Sequence, residues 1–293
     1  MHPAWSVIVF TVLSGIGFGM MFWVGLGAMD VSGFMAVSVV ALSMGLAIVG
    51  LLSSTLHLGH PERALKAFSQ WRSSWLSREG VVSVAALLTF GLYGLIWIVS
   101  GERIAPLGAI AALLSIGTVF TTSMIYAQLK TVPRWNTEWT PLLFVLYALA
   151  VPGLVTGVFV PSVGLLLVLG WVQWTHWRAG DAGLGAAGTP ESATGLGHLG
   201  KVGLLEAPNS SPNYLNREMM HQVGRSRAGA LRRVAMVAGV IVPLLIALGL
   251  AFGGVHHGLL LVAFVVHLVG AMASRWLFFA EAQHVVGLYY GQR

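Results

Sequence analysis

Long apolar runs broken by short polar stretches set the pattern of this chain. They lie near Trp5–Met29, Phe34–Leu56, Val81–Val99, Ile104–Leu129, Pro141–Trp177, Val234–Phe252 and Val255–Ala280. A helix rising about 1.5 Å per residue crosses a hydrocarbon core of about 30 Å in roughly 20 residues, so each run is long enough to span. The fifth run holds 37 residues. As one helix it would be about 55 Å long, so it is predicted to turn near Val160-Pro161 and supply two spans. Two-residue alternation is absent. A helix satisfies its own backbone in lipid, so the pattern predicts an all-α integral membrane bundle of about eight transmembrane helices. The first run exceeds the roughly 7–15 residues of a signal-peptide core and has no basic stretch before it, so it is expected to remain as a span.

Composition sharpens this picture. The 293 residues are 56% hydrophobic and 9% charged, against about 25% charged in soluble domains. There is no cysteine, which excludes disulfides, thiolate metal sites and iron–sulfur clusters ligated by this chain; no metal site is read from it.

The net charge of +6 is distributed by topology. Under the eight-span reading, all but three of the 16 lysines and arginines fall in loops of one side: Arg63 to Arg78, then Lys130 and Arg134, then Arg178 to Arg233. Of the rest, Arg103 lies opposite, Arg275 sits in the last span and Arg293 follows it. The positive-inside rule then places these loops and both termini in the cytoplasm, and the basic residues favour anionic lipid rather than nucleic acid. Trp71, Trp75, Trp135, Trp139, Trp174 and Trp177 sit at the same border, where most are expected to be interfacial anchors.

The expected organisation is a six-helix part (residues 1–178) with a chemically marked loop at 57–80, a loop at 179–230, and two last spans in 231–293. The long loop is rich in glycine, serine and proline. Its segments Ala193–Val202 and Asn213–Met219 mix apolar and charged residues too evenly for a spacer. It is expected to order against a cytoplasmic partner, with Tyr214, Leu215 and Arg217 as contact residues.

Candidate chemistry lies in the second-to-third loop. His57 closes the second span and Glu79 opens the third, so antiparallel helices would bring both to one surface. A histidine and a carboxylate can exchange protons near neutral pH, as the interconversion of quinone and quinol requires. The same residues fit a plainer account: His57 bonding a helix end, Glu79 favoured by the dipole of a helix N-terminus, Arg63 bound to lipid phosphate. Spacing alone leaves the two open.

The run Leu56-His57-Leu58-Gly59-His60-Pro61-Glu62-Arg63-Ala64, followed by Ser74-Trp75-Leu76-Ser77-Arg78-Glu79, resembles the membrane-anchor subunits of the DMSO reductase family of molybdoenzyme complexes. Ile125-Tyr126, Thr131-Val132-Pro133-Arg134-Trp135, Trp139-Thr140-Pro141 and Arg275-Trp276-Leu277-Phe278-Phe279 continue the resemblance. The resemblance implies eight helices, no haem, a site for menaquinone or ubiquinone, and docking to a four-cluster iron–sulfur subunit that serves a molybdopterin catalytic subunit. It assigns quinone binding to His57 and Glu79, the proposed proton-exchange pair, with Arg63 as a weaker quinone-binding neighbour; Tyr126, ending the fourth span on the same side as His57, is a further quinone-binding candidate or an interfacial belt residue. The long loop is similar to that of anchors from sulfite-oxidising complexes, with catalytic subunits on the cytoplasmic side of the bacterial inner membrane. The expected function is therefore electron transfer between the iron–sulfur subunit and the quinone pool, with sulfite as donor. Menaquinol-driven reduction of DMSO or another S- or N-oxide is the alternative.

Other polar residues are read both ways. His267 and Arg275 lie eight residues apart in the last span, where an intramembrane charge signals function or a packed interior partner. His57, His176 and His267 are the haem-ligand candidates, but none forms a pair at matching depths. Gly15-Ile16-Gly17-Phe18-Gly19 carries a small-xxx-small spacing that predicts close helix packing. A secondary transporter is a remote alternative, since no inverted repeat or matched pair of broken helices is visible.

Overall fold

The computed structural model describes residues 3–57, 60–203, 205–206, 227–253 and 256–290. Ten α-helices are described: α1 (Trp5–Gly25), α2 (Gly33–Ser53), α3 (Trp75–Ser100), α4 (Ala105–Ala127), α5 (Trp139–Val155), α6 (Phe159–Ala187), α7 (Pro190–Thr194), α8 (Ala228–Met236), α9 (Val242–Gly253) and α10 (His257–Ala280). A π-helical turn at Val237–Ile241 joins α8 and α9 into one span. Seven helices are long and apolar enough to cross a membrane, and α5 is a shorter apolar helix of 17 residues, at the lower end of the about 17–25 that suffice. No strand occurs among the described residues. The all-helical membrane bundle predicted from the apolar runs is what forms.

The fifth run does divide in two, but the turn falls at Thr156–Val158, before Val160-Pro161. Pro152 removes a backbone donor from the last turn of α5, and Gly157 takes φ of 89°, a conformation that needs glycine. The Thr156 hydroxyl closes the end, 3.0 Å from both Pro152 O and Gly153 O. Pro161 then lies in the first turn of α6, where its missing N–H costs nothing. At its other end α6 runs on to Ala187, well past the residue 178 at which a loop was expected, so the stretch from 179 begins as helix.

The first helix is the hub. It packs on α2, α4, α5 and α10, while α3 lies on α4 and α6 on α5 and α9. Two of its glycines make these approaches possible. A Cβ on Gly17 would lie 2.4 Å from the Ala47 amide nitrogen of α2, and one on Gly19 would collide with the Ala148 carbonyl of α5. Gly15 meets nothing within 4 Å, so the close packing uses opposite faces of the helix rather than one small-xxx-small stripe.

Hydrogen bonds identify which helix ends share a level. Ser53 at the end of α2 bonds Ser6 O at the start of α1 (3.2 Å), and Trp135 before α5 donates to Phe278 O near the end of α10 (2.7 Å). At the opposite end the lone basic loop residue, Arg103, pairs with Asp30 at 3.0 Å. Not every border tryptophan is an anchor facing outward: Trp135 and Trp177 are buried, Trp135 stacked on Phe278 and Trp177 beneath the Arg232 guanidinium, whereas Trp71 and Trp174 are exposed.

Candidate functional site

The end of the bundle that gathers the α3 N-terminus and the α4 C-terminus carries the buried acid. Ser74 caps α3, its hydroxyl accepting from the Ser77 amide at 3.5 Å, so the helix begins at Trp75 rather than with the apolar run at Val81. That start places Glu79 beyond the first turn, on the inward stripe it shares with Ser83, Ala86, Phe90 and Trp97. Glu79 is 4% exposed. It is therefore not a surface carboxylate resting on a helix dipole.

Its partner comes from α4. The Thr122 hydroxyl donates to Glu79 Oε1, and Thr122 Oγ1 also lies 2.9 Å from Thr118 O. A hydroxyl carries a single proton. When Thr122 gives it to Thr118 O, the contact with Glu79 persists only if the carboxyl brings a proton of its own. The pair can thus hold one proton or two, which suits a relay. Thr122 lies one turn before Tyr126 on the same face of α4. Tyr126 is half-buried rather than at a lipid-facing border, its ring among Trp135, Phe144, Phe278 and Phe279 at centroid distances of 5.3–5.8 Å.

The remaining predicted residues are placed unequally. His57 ends the 3-10 turn Ser54–His57 that follows α2, at the same end of the bundle as Glu79. Arg63 is exposed, its Nε 4.0 Å from Glu62, in a 3-10 helix at Pro61–Phe68 whose Phe68 ring covers Gly80. It is not brought to the Glu79 carboxyl. Tyr214, Leu215 and Arg217 lie outside the described residues.

Two features have no counterpart in the sequence pattern. Arg134, Asp181, Arg232 and Glu281 form a four-membered ion cluster: Arg134 reaches Asp181 at 2.5 Å and Glu281 at 3.2 Å, and Arg232 reaches them at 2.7 and 2.8 Å. It clasps the α4–α5 loop, α6, α8 and the residue after α10. The second is the setting of Arg275, buried in the bundle with its guanidinium 3.4 Å from the Phe144 ring centre. Its Nη1 finds no hydrogen-bond partner among the described residues. The intramembrane charge is visible in sequence; the absence of an acid beside it is not. His267 is fully buried with Nδ1 2.7 Å from Gly239 O, on the π turn, and Nε2 3.4 Å from Tyr147 O. His176 stacks on Phe278 at 5.8 Å.

Comparison with known proteins agrees with this architecture. The family model described as DMSO reductase anchor subunit (DmsC) matches residues 1–164. Over 99% of both chains, the protein is 30% identical to the C subunit of the sulfite dehydrogenase of Allochromatium vinosum. It is 32% identical to YnfH, a chain of anaerobic dimethyl sulfoxide reductase in Escherichia coli, over 50% of this chain and 53% of that one. It is 28% identical to the C component of the same organism's anaerobic dimethyl sulfoxide reductase, over 48% and 52%. The family match takes in Glu79, Thr122 and Tyr126, and the full-length relative extends the likeness through the clasp and Arg275. With eight apolar helices and these matches, the chain belongs to the DMSO reductase anchor subunit family, as a multi-pass membrane protein.

Proposed function

We propose that this chain is the quinone-reactive subunit of a bacterial molybdoenzyme complex, passing electrons between an iron–sulfur subunit and the quinone pool of the inner membrane. The observation that carries the proposal is the buried Glu79–Thr122 pair at the same end of the bundle as the turn that ends in His57. Reduction of a quinone takes two electrons and two protons. His57 exchanges a proton with one ring oxygen, and Glu79 passes protons between the site and the aqueous face, as acid–base groups within hydrogen-bond reach do. Tyr126 borders the ring, and Arg63 stands at the surface on the approach. The substrate is menaquinone or ubiquinone. Electrons arrive through the clusters of a four-cluster iron–sulfur partner, because a chain without cysteine lacks the thiolates to hold them.

The basic loops and both termini face the cytoplasm in this proposal, and the iron–sulfur and molybdopterin subunits dock there. Residues 179–230 supply part of that contact, through Tyr214, Leu215 and Arg217. Sulfite is favoured as donor because the likeness to a sulfite dehydrogenase component extends over the whole chain. Quinol-driven reduction of an S- or N-oxide is the second reading, supported by the half-length likeness to dimethyl sulfoxide reductase chains.

Isolation of the chain from its native membrane tests the assignment. It is expected to bring two larger subunits carrying molybdenum and iron–sulfur clusters, and the complex is expected to reduce quinone with sulfite. Deletion of residues 193–219 should weaken that association, since a segment ordered at an interface contributes through its contacts. A chain isolated alone and active in transport would overturn the reading.

A further inference from the structure

Between α1, α4, α5 and α10 lies a small chamber of about 20 Å³, lined by Thr11, Ser14, Thr122, Phe144, Tyr147 and Arg275 among others. A water molecule needs about 10–15 Å³ of such space and two to four polar partners, whereas truly dry cavities are apolar. A quinone ring does not fit. Its polar walls are Arg275, Thr122, Thr11 and Ser14, and Arg275 Nη1 has no hydrogen-bond partner among the described residues. Thr122 faces two ways: it lines the chamber and it touches the Glu79 carboxyl.

Electrostatics point to the same link. Arg275 is 3% exposed and among the described residues pairs with no carboxylate, its guanidinium lying instead over aromatic rings: Phe144 at 3.4 Å, Tyr147 at 5.6 Å and Phe278 at 5.8 Å. Ring faces offset part of the cost of burying a cation, but an orphaned N–H in a dry site still costs several kilocalories.

We infer that Arg275 and Thr122 hold a water in this chamber behind Glu79, making Arg275 a positioning residue for proton exchange at the Glu79 carboxyl. The water accepts from the guanidinium and donates to the Thr122 oxygen, whose own proton stays with Glu79 or Thr118 O. When Glu79 gives up its proton, the Thr122 hydroxyl donates to the carboxylate and the water donates to the Thr122 oxygen; when Glu79 regains one, the carboxyl donates to that oxygen and Thr122 turns to Thr118 O. This rests on the quinone reading for its purpose, while the link itself is a property of the chain.

Infrared difference spectroscopy on the assembled complex in membranes tests it, with the Glu79 carboxyl stretch assigned by its loss in Glu79→Gln. The band should shift in Thr122→Val, which removes the hydroxyl and little else, and in Arg275→Met. Arg275→Lys, which keeps a charge and donors, should restore much of it. Quinone-linked turnover should fall roughly tenfold to hundredfold in Arg275→Met, less than for loss of the acid–base group itself. Its solvent deuterium isotope effect should rise, because the delivery of protons becomes limiting; a loss of packing alone would not move it. An unchanged band in Thr122→Val overturns the inference, whether or not Arg275→Met assembles. Full quinone turnover in Glu79→Gln, together with a Glu79 band that responds to Thr122→Val when Glu79 is retained, would overturn the quinone reading and leave the chamber standing.

Discussion

Two sets of acids and arginines occupy the same end of this bundle and are built on opposite plans. In the clasp, Asp181 and Glu281 each meet both Arg134 and Arg232 directly. In the interior, Glu79 meets a threonine and Arg275 meets aromatic rings, with no direct acid–base pair between them. A direct ion pair fixes the charge state of both partners and ties elements together. An acid held by a hydroxyl alone stays free to gain and lose its proton. The difference separates a device for holding the chain from one for moving protons, although both use the same residue types.

Breaking the clasp should cost the most stability. Glu281 is nearly buried, with 7% of its side chain exposed, and faces Arg134 at 10%. Glu281→Leu would leave both arginines with only the half-exposed Asp181. A loss of roughly 3 kcal/mol is expected, at the lower end for removing one partner of a buried pair because Arg232 is partly solvated. Thermal unfolding of the solubilised chain would record it.

Asp181→Asn sharpens the comparison. This side chain is 48% exposed, so solvent screens its pairs and a loss of about 1 kcal/mol or less is expected. Glu79→Gln should change stability by a similar or smaller amount, since the amide can still hydrogen-bond Thr122 and removes a buried ionisable group. An equally large loss for Glu79→Gln and Glu281→Leu would erase the distinction between the two plans.

The smallest effect concerns the segment after α10. Val286 N–H donates to His284 Nδ1 at 3.0 Å, and Val285 N–H to Thr131 O at 2.9 Å, which lays this segment along the α4–α5 loop. Burial holds His284 below the ordinary value of 6.5. The folded state thus prefers the neutral ring, so its contribution is complete above about pH 6.5 and fades as pH falls below it. Protonation of Nδ1 also removes the acceptor for Val286. The Val286 amide should exchange a few-fold faster at pH 5 than its intrinsic rate change explains, and His284→Phe should abolish that extra dependence.

The spans were legible because apolar length is a direct requirement of lipid. The position of the fifth-run turn was not, since it depends on Pro152 and Gly157 acting together rather than on the conspicuous Pro161. Glu79 was legible as a candidate but misplaced by a turn: the cap at Ser74 starts α3 ahead of its apolar run and carries the carboxyl inward. Thr122 carried no signal of its own among the hydroxyl residues of α4, because its meaning comes from a residue 43 positions away. The clasp was illegible for the same reason, since Arg134 and Glu281 stand 147 positions apart. Trp135 and Trp177 look like border anchors in sequence and are buried because α10 and Arg232 close over them.

Quinone-linked electron transfer in Glu79→Gln and His57→Phe complexes tests the central claim most directly, set against reduction of a soluble dye that bypasses this chain. Both variants should assemble and retain dye-linked activity, with quinone turnover lowered by a factor of roughly 10²–10⁴, the range expected when acid–base assistance is lost. Parental quinone turnover in both, with the complex intact, would contradict the account.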